Sequence, residues 1–255
     1  MTANVASPNR VSLFVPCHMD LFIQHGPDAV ISILKKLGDE CIYDVEQTCC
    51  GRHFFMKGEK DHAQTMAFEM LNLYCARQYR DFPIVIPSSA CVGYIKKYLP
   101  ELCATMALPA DVKHMVHDTY ELCDYIVNVK GLTSVGNTFK HNVFYFQTCA
   151  ARNLYPQADE AAMLLLQNTN EITLWTDPTM KLCCSANGDF AMHNNEMSEH
   201  LLKMIFHRIK EYNVEYVTAT DPHCLQYMDA YLQTRSDIHI EAIPIAEILN
   251  ADGSK

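Results

Sequence analysis

The 255-residue sequence is poor in glycine, with nine, and has a single tryptophan. None of the nine glycines builds a GxGxxG or GxxxxGK[ST] loop, so the chain offers no backbone cradle for the phosphates of NAD, FAD or ATP. A nucleotide cofactor is disfavoured. No apolar run approaches the roughly 20 residues a membrane span needs, and residues 1–10 lack the charged-then-apolar layout of a signal peptide. A cytoplasmic protein without a transmembrane segment is expected. The 20 Lys and Arg are outnumbered by 30 Asp and Glu, for a formal net charge of −10, and they form no stripe that could follow a phosphate backbone. No nucleic-acid partner is expected. There is also no Ser-His-Asp or paired-carboxylate spacing that identifies catalytic machinery.

What is present in excess is cysteine, twelve residues in a chain that is 49% hydrophobic and 20% charged. A reducing compartment does not sustain disulfides, and a domain of this size does not need them. Metal ligation or thiol redox chemistry remains. Eight of the twelve repeat. Cys17, Cys49, Cys50 and Cys91 recur as Cys149, Cys183, Cys184 and Cys224, at offsets of 132, 134, 134 and 133 residues. Their surroundings repeat too: Cys91 and Cys224 both open C-x-x-Y-x-x-x-Y-L. Each repeat also ends on an acidic residue and an apolar stretch, from Glu121 to Ile126 and from Glu247 to Leu249. This periodicity implies two similar halves, with a boundary between Lys130 and Lys140 and domains at 1–135 and 136–255.

β-rich runs at 11–16, 83–86, 142–148 and 215–220 lead into Cys17, Cys91, Cys149 and Cys224. Between them lie amphipathic stretches. One carries Val30, Ile33, Leu34 and Leu37, with Pro27 in its first turn and Gly38 as its stop; another carries Ala63, Met66, Ala67 and Met70; the second half offers Met197, Leu201, Met204 and Ile205. The methionine-rich faces are read as core. Strands alternating with helices predict an α/β fold, each half a small parallel sheet with flanking helices. Ligands in such sheets gather outside the carboxyl ends of the strands, so each set of four cysteines is expected at strand ends facing the cleft between halves. Cys41, Cys75, Cys103 and Cys123 have no equivalents and are read as small buried residues.

Four thiolates suit tetrahedral zinc, an iron-sulfur cluster or a thiol-disulfide relay. Zinc sites usually use C-x2-4-C knuckles, and neither half has one. Adjacent cysteines on extended chain are expected to diverge, which favours a cluster, and Gly51 would let the backbone approach it.

The pattern C…CCG…C, twice in one chain, resembles the cysteine-rich CCG-domain proteins. These include the B subunit of heterodisulfide reductase, the iron-sulfur subunit of glycolate oxidase and the A subunit of the bacterial lactate-utilization complex. The similarity to the last runs through Val11 to Cys17, Gln47 to Gly51, Pro87 to Cys91, Tyr120 to Val129 and Ile245 to Asn250. It implies one or two [4Fe-4S] clusters, with zinc as a possible substitute, held by all eight repeated cysteines. The chain would be a non-autonomous electron-transfer subunit that joins two further subunits to oxidise the hydroxy acid L-lactate to pyruvate. Alternatives are an iron-sulfur subunit of glycolate oxidase, heterodisulfide reductase or fumarate/succinate type, and a zinc-stabilised structural protein. Two departures stand out. Ser185 replaces the second glycine, which is expected to weaken that site, and Ser88 and Asp221 stand where the heterodisulfide reductase branch has a fifth cysteine.

His18, Arg52, His53 and His223 flank the cysteines and are read as solvated loop residues or as tuning groups. His114 and His117 sit at i and i+3 with no acidic third ligand expected.

Overall fold

The computed structural model describes residues 9–76, 81–105, 107–186 and 189–253; residues 1–8, which bear on the signal-peptide reading, lie outside them. In the first half β1 (Asn9–Leu13), α1 (Cys17–Phe22), α2 (Gly26–Lys36), β2 (Asp39–Ile42), α3 (Arg52–Met56) and α4 (Lys60–Tyr74) follow in order. Then come β3 (Ile84–Ile86), α5 (Ser89–Leu102), α6 (Pro109–Asp118), β4 (Thr119–Glu121) and α7 (Leu122–Asp124), which runs into a π turn over Tyr125–Val129. The second half runs β5 (Asn142–Tyr145), α8 (Cys149–Leu154), α9 (Pro156–Gln167), β6 (Thr173–Trp175), α10 (Phe190–His193) and α11 (Asn195–Ile209). It ends with β7 (Tyr216–Thr218), α12 (Pro222–Gln233), β8 (Glu241–Ala242) and α13 (Ile245–Asn250).

Each half is a four-stranded, all-parallel sheet, ordered β2-β1-β3-β4 and β6-β5-β7-β8. The two orders are the same order, and the α/β architecture with two similar halves is what the repeat implies. Strand order reverses between β1 and β3, and between β5 and β7. Such a switch point opens a crevice at the carboxyl ends of the strands.

Side chains alternate across each sheet, and both faces are buried. Val11, Leu13 and Val85 face a central core with Val143 and Tyr145 of the other half. Phe14, Ile84 and Ile86 face the first half's own core, and Phe144, Phe146 and Val217 that of the second. The central layer is built by α2 and α9, with Pro27 and Pro156 in their first turns and Gly38 stopping α2 at φ +82°. The last helix of each half crosses over: α13 packs on α2, and α7 packs on α9. The carboxylate of Glu121 caps α7, accepting from the Cys123 and Asp124 N–H groups. Glu247, by contrast, lies inside α13, whose N-cap is Pro244. The two acidic residues are therefore not equivalent.

Three readings are corrected. In α11 the buried residues are Ser198, Leu202, Ile205, Phe206 and Ile209, while Met197 and Met204 are exposed; the core face is rotated from the methionine stripe. Cys103 and Cys123 are fully buried, but Cys41 and Cys75 are only half-buried, the latter donating to the Asp111 carbonyl at 3.4 Å. His114 and His117 both contact Asp118, at 2.7 and 2.8 Å, so an acidic neighbour is present. Among the described residues no helix is long and apolar enough to cross a membrane.

Candidate metal centres

Cys17 opens α1 after β1, Cys49 and Cys50 precede α3 after β2, and Cys91 lies in the first turn of α5 after β3. Cys149, Cys183, Cys184 and Cys224 take the same places in the second half. Three strand ends thus deliver each set of four to one switch point.

The sulfurs are strung in chain order. Cys17 and Cys49 lie 3.9 Å apart and Cys50 donates to Cys91 at 3.4 Å, with the Cys49 and Cys50 sulfurs also hydrogen-bonded. In the second half Cys183 contacts Cys149 at 3.6 Å and its neighbour Cys184, which contacts Cys224. The adjacent sulfurs therefore do not diverge as an extended chain would make them. A left-handed residue directly after each pair turns the chain there.

That turn is the most informative local feature. Gly51 has φ +86°, and its N–H points to the Cys49 sulfur at 3.4 Å. Ser185 has φ +65°, and its N–H points to the Cys183 sulfur at 3.3 Å. Serine has taken the glycine conformation, so its replacement of glycine does not hold the backbone away from the second site. Its hydroxyl donates to the Cys184 carbonyl. At Gly51 a Cβ would meet Met66 Cβ at 3.0 Å and the Ala63 carbonyl at 3.1 Å.

Within each set the sulfur contacts move neighbouring thiols in opposite directions. The Cys49 thiol is pushed well below the usual range, first through its hydrogen bond with Cys17, then through those with Cys50 and the Gly51 N–H. Cys183 is lowered in the same way by Cys149, Cys184 and the Ser185 N–H. Cys17 and Cys149 are raised by the same sulfur–sulfur contacts, with burial adding to the effect. Four soft thiols strung across several ångströms, one of them facing a backbone N–H, suit an iron-sulfur group better than a single ion. Among the described residues no three His, Cys, Asp or Glu side chains converge as a ligand set for a single metal ion.

Several contributors were not legible. Gln47 clamps the first CCG loop to the chain leaving β1: its Nε2 donates to the Val15 carbonyl at 2.6 Å and its Oε1 accepts from the Val15 N–H at 2.8 Å. Tyr74 donates to the same Oε1 at 3.2 Å. Lys181 replaces Gln47 in the repeat, and the second loop is held instead by Asp177, which binds Arg208 and Thr179. The glutamine was visible in the motif, but its clamp is long-range and leaves no periodic trace.

The flanking residues meet at the interface of the halves. The cleft beside the first set is lined by its four cysteines with His18, Arg52 and Ser88, and by Asp221, Pro222 and His223 from the second half. His18 and His223 stack with ring centroids 3.7 Å apart. Burial lowers both, His223 to about 3. Ser88 and Asp221 cap α5 and α12, accepting from the Cys91 and His223 N–H groups, and Ser88 donates to Asp221 at 3.5 Å. His53 and Lys57 reach Asp189 of the other half at 3.6 and 3.1 Å. These are not solvated loop residues, with His53 the most open of them.

A two-sheet α/β protein carrying a repeated four-cysteine site is the class defined here. The Cysteine-rich (CCG) domain family matches residues 11–96 and again 143–229, and the chain belongs to that family. Lactate utilization protein A of Oceanobacillus iheyensis is 28% identical over 241 residues, 94% of this chain and 96% of its own. The protein of the same name from Bacillus subtilis is 29% identical over 243 residues, 95% and 99% of the two chains. Among solved structures, glutamate racemase RacE1 of Bacillus anthracis aligns over 96% of this chain and 80% of its own at 13% identity, with a TM-score of 0.38.

Proposed function

We propose that this chain is an iron-sulfur electron-transfer subunit of an L-lactate-oxidising complex, holding [4Fe-4S] clusters on Cys17, Cys49, Cys50 and Cys91 and on Cys149, Cys183, Cys184 and Cys224. One observation carries the reading: both sets present four cysteine sulfurs at a sheet switch point with a left-handed residue giving its N–H to a sulfur. Cluster proteins use such N–H···S bonds to set reduction potential. The full-length similarity to proteins named for lactate utilization supports the substrate, and two further subunits would complete the complex. When bound, a cluster supplies one-electron transfer. The eight cysteines would hold it, with the Gly51 and Ser185 N–H groups directed at a ligand sulfur in each set.

Anaerobic purification followed by iron and acid-labile sulfide analysis and electron paramagnetic resonance tests the cofactor. Cys49→Ser and Cys183→Ser should each remove one cluster's worth of iron, while Cys41→Ser and Cys75→Ser should leave the content unchanged. A colourless protein with stoichiometric zinc and no iron after anaerobic reconstitution would overturn it. Co-purification with two partners and loss of growth on L-lactate on deletion test the complex.

A further inference from the structure

Two of the positions at which the repeat breaks in charge meet in space. Arg52, directly after Gly51, has Ala186 as its equivalent after Ser185; Asp221, three before Cys224, has Ser88 as its equivalent three before Cys91. Arg52 belongs to the first half and Asp221 to the second, yet both line the same cleft. Asp221 is 5% exposed and is oriented there by the Ser88 hydroxyl at 3.5 Å and the His223 N–H at 3.3 Å. Around this junction Ser89 and Thr220 join the halves through the Ser89 N–H to the Thr220 carbonyl at 2.9 Å and through their hydroxyls at 3.0 Å. The junction is thus a fixed one.

We propose that Arg52 is a cation shared by both cysteine sets, lining one cleft with the buried carboxylate of Asp221, and that its charge raises the reduction potential of a group in each half. The inference rests on the cluster reading above. Arg52 shares its cleft with Ser88 and Asp221, the N-caps of α5 and α12, whose first turns carry Cys91 of the first set and Cys224 of the second. An electron entering a cluster adds negative charge in a medium of low dielectric, where a fixed cation favours the reduced form and is little screened by salt. With alanine at position 186, the second half has no cation at the equivalent place. Arg52 therefore acts on both centres through its charge.

The test uses the full chain, reconstituted anaerobically. The wild type is first assayed for iron and sulfide: absence of both defeats the cluster reading itself and is thereby distinguished from a failure of this inference. Potentiometric titration followed by electron paramagnetic resonance then compares wild type, Arg52→Gln and Arg52→Lys, with signals assigned through Cys49→Ser and Cys183→Ser. Arg52→Gln should lower both midpoint potentials, changing the reduced-to-oxidised ratio of each centre at fixed poise by roughly tenfold, about 59 mV for a one-electron couple. Arg52→Lys should restore most of the shift in both. A shift confined to the first-half centre, or none in either, overturns the inference. Should Arg52→Gln lose its clusters, Arg52→Lys decides: retention with potentials near wild type supports a role for charge, and loss alongside the glutamine variant overturns it.

Discussion

Gly51 and Ser185 stand at the same turn of the repeat and hold the same left-handed backbone, φ +86° and +65°, each giving its N–H to the first sulfur of its cysteine pair. For an L-residue this region costs about 1–2 kcal/mol. Ser185→Gly should therefore raise stability by about 0.5–1 kcal/mol, the serine's bond to the Cys184 carbonyl offsetting part of the gain. Gly51→Ala should lose about 1–3 kcal/mol, from the strained conformation and the contact with the Ala63 carbonyl. Equilibrium unfolding of the reduced apoprotein checks both signs.

Gln47 bonds both main-chain groups of Val15, itself 5% exposed. Removing it leaves a buried N–H and carbonyl unpaired, at about 1–3 kcal/mol each. Gln47→Ala is expected to cost about 2–4 kcal/mol and to lower iron loading of the first set alone, the second loop being held by Asp177 and Arg208. Equal loss of iron from both sets would contradict this.

Gly93 lets α5 lie against α8 across the halves. A Cβ there would sit 2.6 Å from Leu154 Cβ and 3.4 Å from Tyr155 Cβ. On the opposite seam, between α1 and α12, the equivalents are Gln226 and Phe22, and Phe22 stays 56% exposed. Gly93→Ala should destabilise the protein by about 1–3 kcal/mol despite the better helix propensity of alanine. Thermal unfolding that moves upward instead would show that the seam yields.

Glu121 carries the pH prediction. Burial raises its carboxyl from 4.5 to about 8, against the N–H groups of Cys123 and Asp124 that it caps. The folded state then binds the proton more tightly than the unfolded chain. Its stabilising effect is complete below about pH 4.5 and is lost as pH rises to about 8. Glu121→Gln keeps an acceptor for the cap and removes the titration. It should flatten the decline in stability between pH 5 and 8 and make the variant more stable at pH 8, by an amount on the order of 3–5 kcal/mol. Chemical denaturation of the apoprotein across that range decides, and parallel slopes for variant and wild type would refute the assignment.

Much of this was legible. The central strands β1, β3, β5 and β7 lie in the apolar runs ahead of Cys17, Cys91, Cys149 and Cys224, because strands buried on both faces read as continuous hydrophobic stretches. Helix α2 declared itself through Pro27 and Gly38. The edge strands did not: β8 is only Glu241–Ala242 and β6 is largely exposed, so neither carries an apolar run. Helix α11 was found but its face misjudged, since methionine is tolerated at exposed positions and marks a core face poorly.

By itself the sequence determined the repeat, the parallel α/β class and the membership of each four-cysteine set, because equal spacing in a repeated fold returns equivalent residues to equivalent strand ends. Only the tertiary structure decided that Ser185 adopts the turn of Gly51, that the terminal helices α7 and α13 change halves, and that Arg52 and Asp221 share one cleft. These depend on backbone dihedrals and on contacts between residues far apart in sequence, and neither leaves a local pattern in the chain.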